Sequence, residues 1–307
     1  MRAIATLTTI RQTTAKALGR YHSGTFKSSG NSTTTGIDES LISSLSINDQ
    51  FTDGWLVLPA KSLTDREARI VSSFTPSSGT LTIDRAWSTS TVPNSTAYEW
   101  HALIEPITQM TSIINDALKR IMVVTEITLT PTADATRHEI TTANTWLVNP
   151  TWVRQVGYLA TGETRATINP YEHRGIRGWP DTDGANVYIN HPKRPGPASG
   201  ETWYIRCLKP AYDHCKATAG SFGGQAGLSL ETDEAPVEAE FVAWVAICVA
   251  IEQNMLDWGL AGDAQLETKR QHAVLMATWW NRQWEVQHRE DTALTFKKAR
   301  RGWGVPR

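Results

Sequence analysis

A histidine next to a cysteine comes closest in this sequence to a reactive arrangement. Asp213, His214 and Cys215 are consecutive, and His173 lies in the same half of the chain. A cysteine nucleophile needs a base within hydrogen-bond reach, whereas adjacent residues on a strand point to opposite faces. We therefore expect structural roles for these residues and no catalytic group.

Other familiar chemical motifs are also missing. There is no GxSxG, HExxH or GxxxxGK[ST] pattern, and no two of the three cysteines, Cys207, Cys215 and Cys248, form a CxxC. We therefore predict no metal site, no cofactor and no enzymatic activity. An odd number of cysteines, one of them inside an apolar run, argues against disulfides and favours a reducing compartment. The scattered carboxylates leave a glycoside hydrolase as the open enzymatic alternative.

Tryptophans offer stacking and burial instead, and the chain has 13 of them. Trp146, Trp152 and Trp179 fall in β-rich segments, where an exposed indole could stack on a sugar or a base. Trp is largely buried on average, so a core position is the favoured interpretation. A glycan-binding β domain is the alternative.

Three further tryptophans lie close together near the C-terminus. Trp280 and Trp284 are four residues apart and share one helical stripe, whereas Trp279 points about 100° away. Because Trp and Arg carry much of the binding energy at interfaces, we predict a subunit interface at Trp279 and Arg282. A wider intrachain core is the alternative.

The C-terminal residues are basic with interleaved aromatic side chains. We predict an arm that docks on a protein partner through Phe296, Lys297, Lys298, Arg300, Arg301, Trp303 and Arg307. Nucleic acid is the rival partner, because cations neutralise phosphates and aromatic rings stack on bases.

Composition limits these interpretations. The 307 residues leave room for about two domains, and a net charge of -1 excludes a globally basic nucleic-acid binder. The longest apolar run, residues 241–251, is too short for a membrane span of about 20 residues. Residues 1–19 lack the apolar core of a secretory signal, so we expect synthesis in the cytoplasm and no membrane partner.

Apolar periodicity predicts the elements that position these residues. Spacings of three and four predict helices, and short alternating or apolar runs bounded by Gly and Pro predict strands. The predicted strands cover residues 55–58, 68–74, 80–85, 98–101, 127–130, 145–148, 153–159, 186–190 and 202–208. The predicted segments are an N-terminal helix (1–19), a small β domain (20–105), a central helix (106–122), a sandwich- or barrel-like β domain (123–215), a glycine-rich flexible linker (216–233), a helix hairpin (234–293) and the basic arm (294–307).

The predicted class is therefore α+β. Its helical core consists of the N-terminal helix, the central helix and the long C-terminal hairpin. Two β-rich insertions and an extended C-terminal tail complete the expected architecture.

Several segments of the first 125 residues resemble a class of tailed-bacteriophage virion proteins from the head-to-tail region. They are residues 17–24 (ALGRYHSG), 54–59 (GWLVLP), 67–71 (EARIV), 78–87 (SGTLTIDRAW), 98–101 (YEWH) and 113–118 (IINDAL). The C-terminal helix pair resembles the family in architecture only. The β insertions are larger than in the simplest all-helical adaptors of this kind.

The resemblance implies a head-to-tail adaptor in the neck of a virion. Such adaptors form a ring, commonly of twelve copies, between the portal and the tail or nozzle, and a C-terminal arm reaches the portal. Genome DNA would pass through the channel without sequence-specific binding. The alternatives are a tail, collar or fibre-base component with a glycan- or fibre-binding β domain, and a virion glycan hydrolase.

Overall fold

The computed structural model of the chain forms two compact units. It describes residues 4–19, 21–42, 50–58, 67–87, 93–141, 144, 147, 149–165, 168–173, 179–190, 200–253 and 267–283. Unit 1 comprises Met1–Ile121 and His214–Trp280, and unit 2 comprises Met122–Asp213 and Asn281–Arg307. The chain thus leaves unit 1 after its central helix and returns to it at His214.

The helices of unit 1 are packed together. They are α1 (Leu7–Leu18), α2 (Gln109–Arg120), α4 (Ala239–Glu252) and α5 (residues 267–283, the last three assigned to unit 2). Helices α1 and α2 contact α4 and each other. An unbroken apolar run makes α4 hydrophobic all round, as expected for a helix with neighbours on several sides.

Capping residues set the ends of these helices. The Thr6 side chain accepts a hydrogen bond from the Thr9 N–H at the start of α1, and Gly19 closes the helix with a φ of 86°. At the start of α2, the Glu105 carboxylate accepts from the backbone N–H groups of Ile107, Thr108 and Gln109. It therefore satisfies amides that the helix itself leaves without a partner.

A six-stranded antiparallel sheet forms a curled half-barrel beside the helices. Its strands are β2 (Tyr21–Thr25), β3 (Thr35–Ile37), β4 (Trp55–Val57), β5 (Ala68–Thr75), β6 (Thr80–Ile83) and β7 (Ala97–His101). Their order is β2-β7-β4-β5-β6-β3. Apolar side chains of one face form a buried cluster that includes Phe26, Phe74 and Trp100.

The segment that leads from unit 2 to α4 is attached to the helices, in contrast to the predicted flexible linker. Strand β1 (Ala5–Thr6) pairs with β14 (Glu234–Ala235). Asn115 of α2 donates to the Leu228 carbonyl at 3.0 Å and accepts from the Leu228 N–H at 2.8 Å. The glycine content suggested flexibility, but these hydrogen bonds depend on residues distant in sequence.

Unit 2 consists of two three-stranded antiparallel sheets. Their strands are β8 (Met122–Leu129), β9 (Arg137–Glu139), β10 (Val153–Leu159), β11 (Trp179–Thr182), β12 (Val187–Asn190) and β13 (Thr202–Pro210), with the short helix α3 at Pro170–His173. One sheet has the order β10-β13-β8 and the other β11-β12-β9. Val187, Ile189, Trp203 and Ile205 belong to one buried cluster, so both sheets contribute to the same core.

The mixed α+β class is confirmed. Strands β1, β2, β3, β9, β11 and β14 were not predicted, because these segments are short and lack a strong apolar pattern. Of the predicted strand at 145–148, only Leu147 is described. The connection between α4 and α5, residues 254–266, lies outside the described residues, so the helix hairpin stays a prediction.

Candidate interaction site

Helix α5 carries most of the exposed apolar surface that the described residues show. Among the described residues five large hydrophobic side chains are exposed, and three of them lie on α5: Val274 at 50%, Leu275 at 65% and Trp279 at 48%. We define the outer face of α5 as Glu267, Gln271, Val274, Leu275, Thr278, Trp279 and Arg282, all of them exposed. Apolar side chains grouped on one exposed face are typical of an interaction surface.

The opposite side of α5 packs on the other helices of unit 1. Ala273 is fully buried. The Trp280 ring stacks on Phe241 of α4 at 6.4 Å between centroids. The exposed His272 lies at the edge of the outer face, seven residues before Trp279, and its ring meets Trp244 of α4 at 5.0 Å. These contacts fix which side of α5 faces solvent.

A lysine also attaches α5 to the end of α1. The Lys269 ammonium donates to the Leu18 carbonyl at 2.8 Å. Carbonyls in the last turn of a helix have no partner within the helix, and a cation there also complements the helix dipole. The position of α5 is therefore fixed at its N-terminal end as well as along its length.

The two residues predicted for a subunit interface lie on the outer face. Trp279 is about half exposed and meets Trp280 edge to face at 5.1 Å, and Arg282 is exposed. Their role in an interface stays a prediction. Trp284 and all seven predicted arm residues, from Phe296 to Arg307, lie outside the described residues.

A second notable feature is a buried charge network that the sequence analysis did not predict. Arg11 of α1 is fully buried and forms an ion pair with Glu99 of β7 at 3.1 Å. It also pairs with Glu231, which precedes α4. The network therefore joins α1, the half-barrel sheet and the segment that enters α4.

Neighbouring polar side chains complete the network. The Gln12 amide donates to Glu99 at 2.9 Å, and the Thr8 hydroxyl donates to the Glu231 backbone carbonyl at 3.1 Å. His101 Nε2 lies 3.1 Å from a Glu99 oxygen. We refer to Arg11, Glu99, Glu231 and His101 as the Arg11 network.

The protonation states follow from burial and pairing. Burial alone would raise the pKa of Glu99, but hydrogen bonds from His101, Arg11 and Gln12 and the Arg11 charge lower this pKa to about 2. Burial lowers the pKa of His101 despite its contact with Glu99. His101 is thus neutral at pH 7 and donates its Nε2–H to the carboxylate.

These groups do not form a catalytic site. Arg11 and Glu99 are almost completely shielded from solvent, with side-chain exposures of 0% and 3%. No substrate reaches them in this arrangement, and each charge faces a fixed partner. The network instead holds three parts of unit 1 together.

Two of the three cysteines are also enclosed, whereas Asp213, His214 and Cys248 are partly exposed. Burial raises the pKa of the Cys207 thiol to about 12, so this thiol is not a nucleophile at neutral pH. Cys215 is buried. Among the described residues, no group of three His, Cys, Asp or Glu side chains could hold a metal ion.

The tryptophans proposed for glycan stacking receive a partial answer. Trp152 is half-buried and packs against the core of unit 2. The side chains of Trp146 and Trp179 are not among those described. Trp152 therefore supports the core interpretation.

A sequence signal for the Arg11 network existed. Arg11 falls on the apolar stripe of α1, between Leu7 and Leu18, where a charged residue needs a buried partner. Its partners Glu99 and Glu231 are 88 and 220 residues away, and no local pattern identifies them.

Comparison with known proteins adds no further constraint. A scan against protein-family models and searches of the curated proteins and the solved structures found no match to the chain. Within the described residues, no helix has both the length and the apolar character needed to cross a membrane.

Proposed function

We propose that the chain is a structural assembly protein, a head-to-tail adaptor that forms a ring between the portal and the tail of a bacteriophage virion. The observation that carries the assembly role is the outer face of α5, where Val274, Leu275 and Trp279 are about half exposed or more. A folded chain gains nothing internally from such a face, whereas a partner that covers it removes apolar area from water. The adaptor identity itself rests on the resemblance of residues 1–125.

The fold of unit 1 supports this proposal. The inner side of α5 is fixed on α4 and α1, so its outer face is presented on a rigid support. Preorganised surfaces bind partners with less loss of conformational freedom. Trp279 and Arg282 are the residue types that most often dominate such contacts.

The experiment measures the joining of heads to tails. Purified Trp279→Ser protein is added to heads and tails that lack the chain, and joined particles are counted by electron microscopy. We expect far fewer joined particles than with the wild-type protein, at an unchanged melting temperature. The matched control is Trp152→Ser, which removes an indole that packs against the unit 2 core. This substitution should lower the melting temperature, which Trp279→Ser should leave unchanged.

A truncation after residue 295 tests the predicted docking of the arm. The shortened chain should fold and no longer attach to isolated portals. Normal joining by both the truncated chain and the Trp279→Ser variant would refute the proposal.

A further inference from the structure

We propose that the outer face of α5 is self-complementary and that two copies of the free chain pair through it with their α5 helices antiparallel. This inference concerns the chain before assembly and does not depend on the adaptor function. It rests on the order of charged, polar and apolar residues along the outer face.

The apolar residues lie at the centre of that face. Val274 and Leu275 are midway between Glu267 near one end of the helix and Arg282 near the other. A two-fold axis through this midpoint places the Val274–Leu275 pair of one copy against that of the second copy. Leu275, which at 65% is the most exposed large apolar side chain among the described residues, is then covered at the centre of the contact.

The flanking residues match in the same register. The axis brings Glu267 to the level of Arg282 in the second copy, and Gln271 to the level of Thr278. With a rise of about 1.5 Å per residue, each ion pair lies about 11 Å from the axis. Two equivalent Glu267–Arg282 pairs therefore enclose the apolar centre, while a parallel pairing would bring like charges together.

The contacts that Glu267 makes within the described part of its own chain are exposed. Within its own helix Glu267 lies 3.7 Å from Arg270 and accepts a hydrogen bond from the Gln271 amide at 3.1 Å, and all three side chains are exposed. Exposed ion pairs of this kind contribute little to stability. Because these contacts are exposed, a second chain can compete with them for the Glu267 carboxylate.

Pairing would also regulate assembly. The paired state engages Arg282, which the proposed ring contact also uses. This consequence, unlike the pairing itself, rests on the proposed function, under which the two contacts compete. The free chain would then shield its apolar face until the pair opens on the partner.

Sedimentation velocity of the full chain over roughly 1–100 µM tests this proposal. We expect a reversible equilibrium between monomer and dimer. Arg282→Glu and Glu267→Arg should each weaken association about tenfold, because each reversal places like charges opposite each other twice. The double variant carries both reversals and should return to within about threefold of the wild-type affinity.

Controls keep the result independent of folding. Arg85→Glu makes the same charge change at a side chain that is 72% exposed in the half-barrel, and it should leave association unchanged. Leu275→Asp should abolish the dimer while the melting temperature of the monomer is retained. A chain that is monomeric at every concentration, a larger oligomer in place of the dimer, or a double variant that is not rescued would each overturn the antiparallel pair.

Discussion

The Arg11 network and the outer face of α5 each place side chains where their type is disfavoured. Arg11, Glu99 and Glu231 are charged and buried, whereas Val274, Leu275 and Trp279 are apolar and exposed. The buried charges find their partners within the chain and fix three segments to one another. The exposed apolar side chains find no such compensation among the described residues of unit 1. The first arrangement stabilises the fold, and we propose that the second is a surface for association.

The largest expected effect comes from breaking the network. Arg11→Met removes the guanidinium and leaves two buried carboxylates without it, which should lower the free energy of unfolding by about 3–5 kcal/mol. Urea denaturation measures this change. Lys27→Met is the control, because the Lys27–Glu39 pair is exposed, with side-chain exposures of 40% and 65%, and should change stability by less than about 1 kcal/mol. Equal effects of the two substitutions would contradict the structural role of the network.

Acid should weaken the network next. The pKa of Glu99 is about 2 in the folded chain against an ordinary 4.5, so its contribution is complete above pH 4.5 and is lost as the pH falls towards 2. The expected loss is roughly 3 kcal/mol. His101 acts in the same direction from pH 6.5 downwards, because burial lowers its pKa and keeps the imidazole neutral.

Chemical denaturation at a series of pH values measures this dependence. The Glu99→Gln variant no longer titrates at this position, so its stability should fall less steeply than that of the wild type below pH 4.5. Parallel curves for the two proteins would show that Glu99 does not have a lowered pKa.

Neutral hydrogen bonds in the same region should matter less than the charges. Asn115→Ala removes both hydrogen bonds to Leu228 and should lower the free energy of unfolding by about 1–2 kcal/mol. Amide hydrogen exchange should become faster around Leu228. Gln253→Ala is the control, because Gln253 makes an exposed hydrogen bond to Asp116, and it should change stability by less than about 0.5 kcal/mol. Unchanged exchange in Asn115→Ala would mean that other contacts hold this segment.

The smallest effect on stability should come from the outer face of α5. Leu275→Ala changes an exposed side chain and should alter the unfolding free energy of the monomer by less than about 0.5 kcal/mol. The same substitution at the fully buried Leu7 should cost about 2–5 kcal/mol. Thermal denaturation of dilute protein compares the two. A large loss in Leu275→Ala would place Leu275 in the core and remove the contrast between the two regions.

Sequence patterns predicted the helices that carry these two regions better than they predicted the contacts between distant residues. Helices α1 and α2 follow from apolar spacing and from stop signals such as Gly19, because these depend on neighbouring residues. The same spacing places Arg11 on the apolar stripe of α1. It does not identify the partner Glu231, which is 220 residues away. The attachment of Leu228 to Asn115 was not predicted for the same reason, because the two residues are far apart in sequence. The glycines near Leu228 instead indicated a flexible linker.

For the outer face of α5, sequence patterns predicted one feature and missed another. Periodicity separated Trp279 from the stripe of Trp280, and the structure places Trp280 on Phe241 with Trp279 half exposed. The sequence could not show that Val274 and Leu275 are exposed, because apolar residues in a helix are usually buried. Exposure depends on the packing of the inner side against α4 and α1.

The central claim is that the chain is an assembly protein of the virion neck. Gold-labelled antibody against the chain, applied to intact particles and viewed by electron microscopy, tests it most directly. We expect label at the junction of head and tail. Label at the distal tail or the fibres, or particles without label, would contradict the adaptor function.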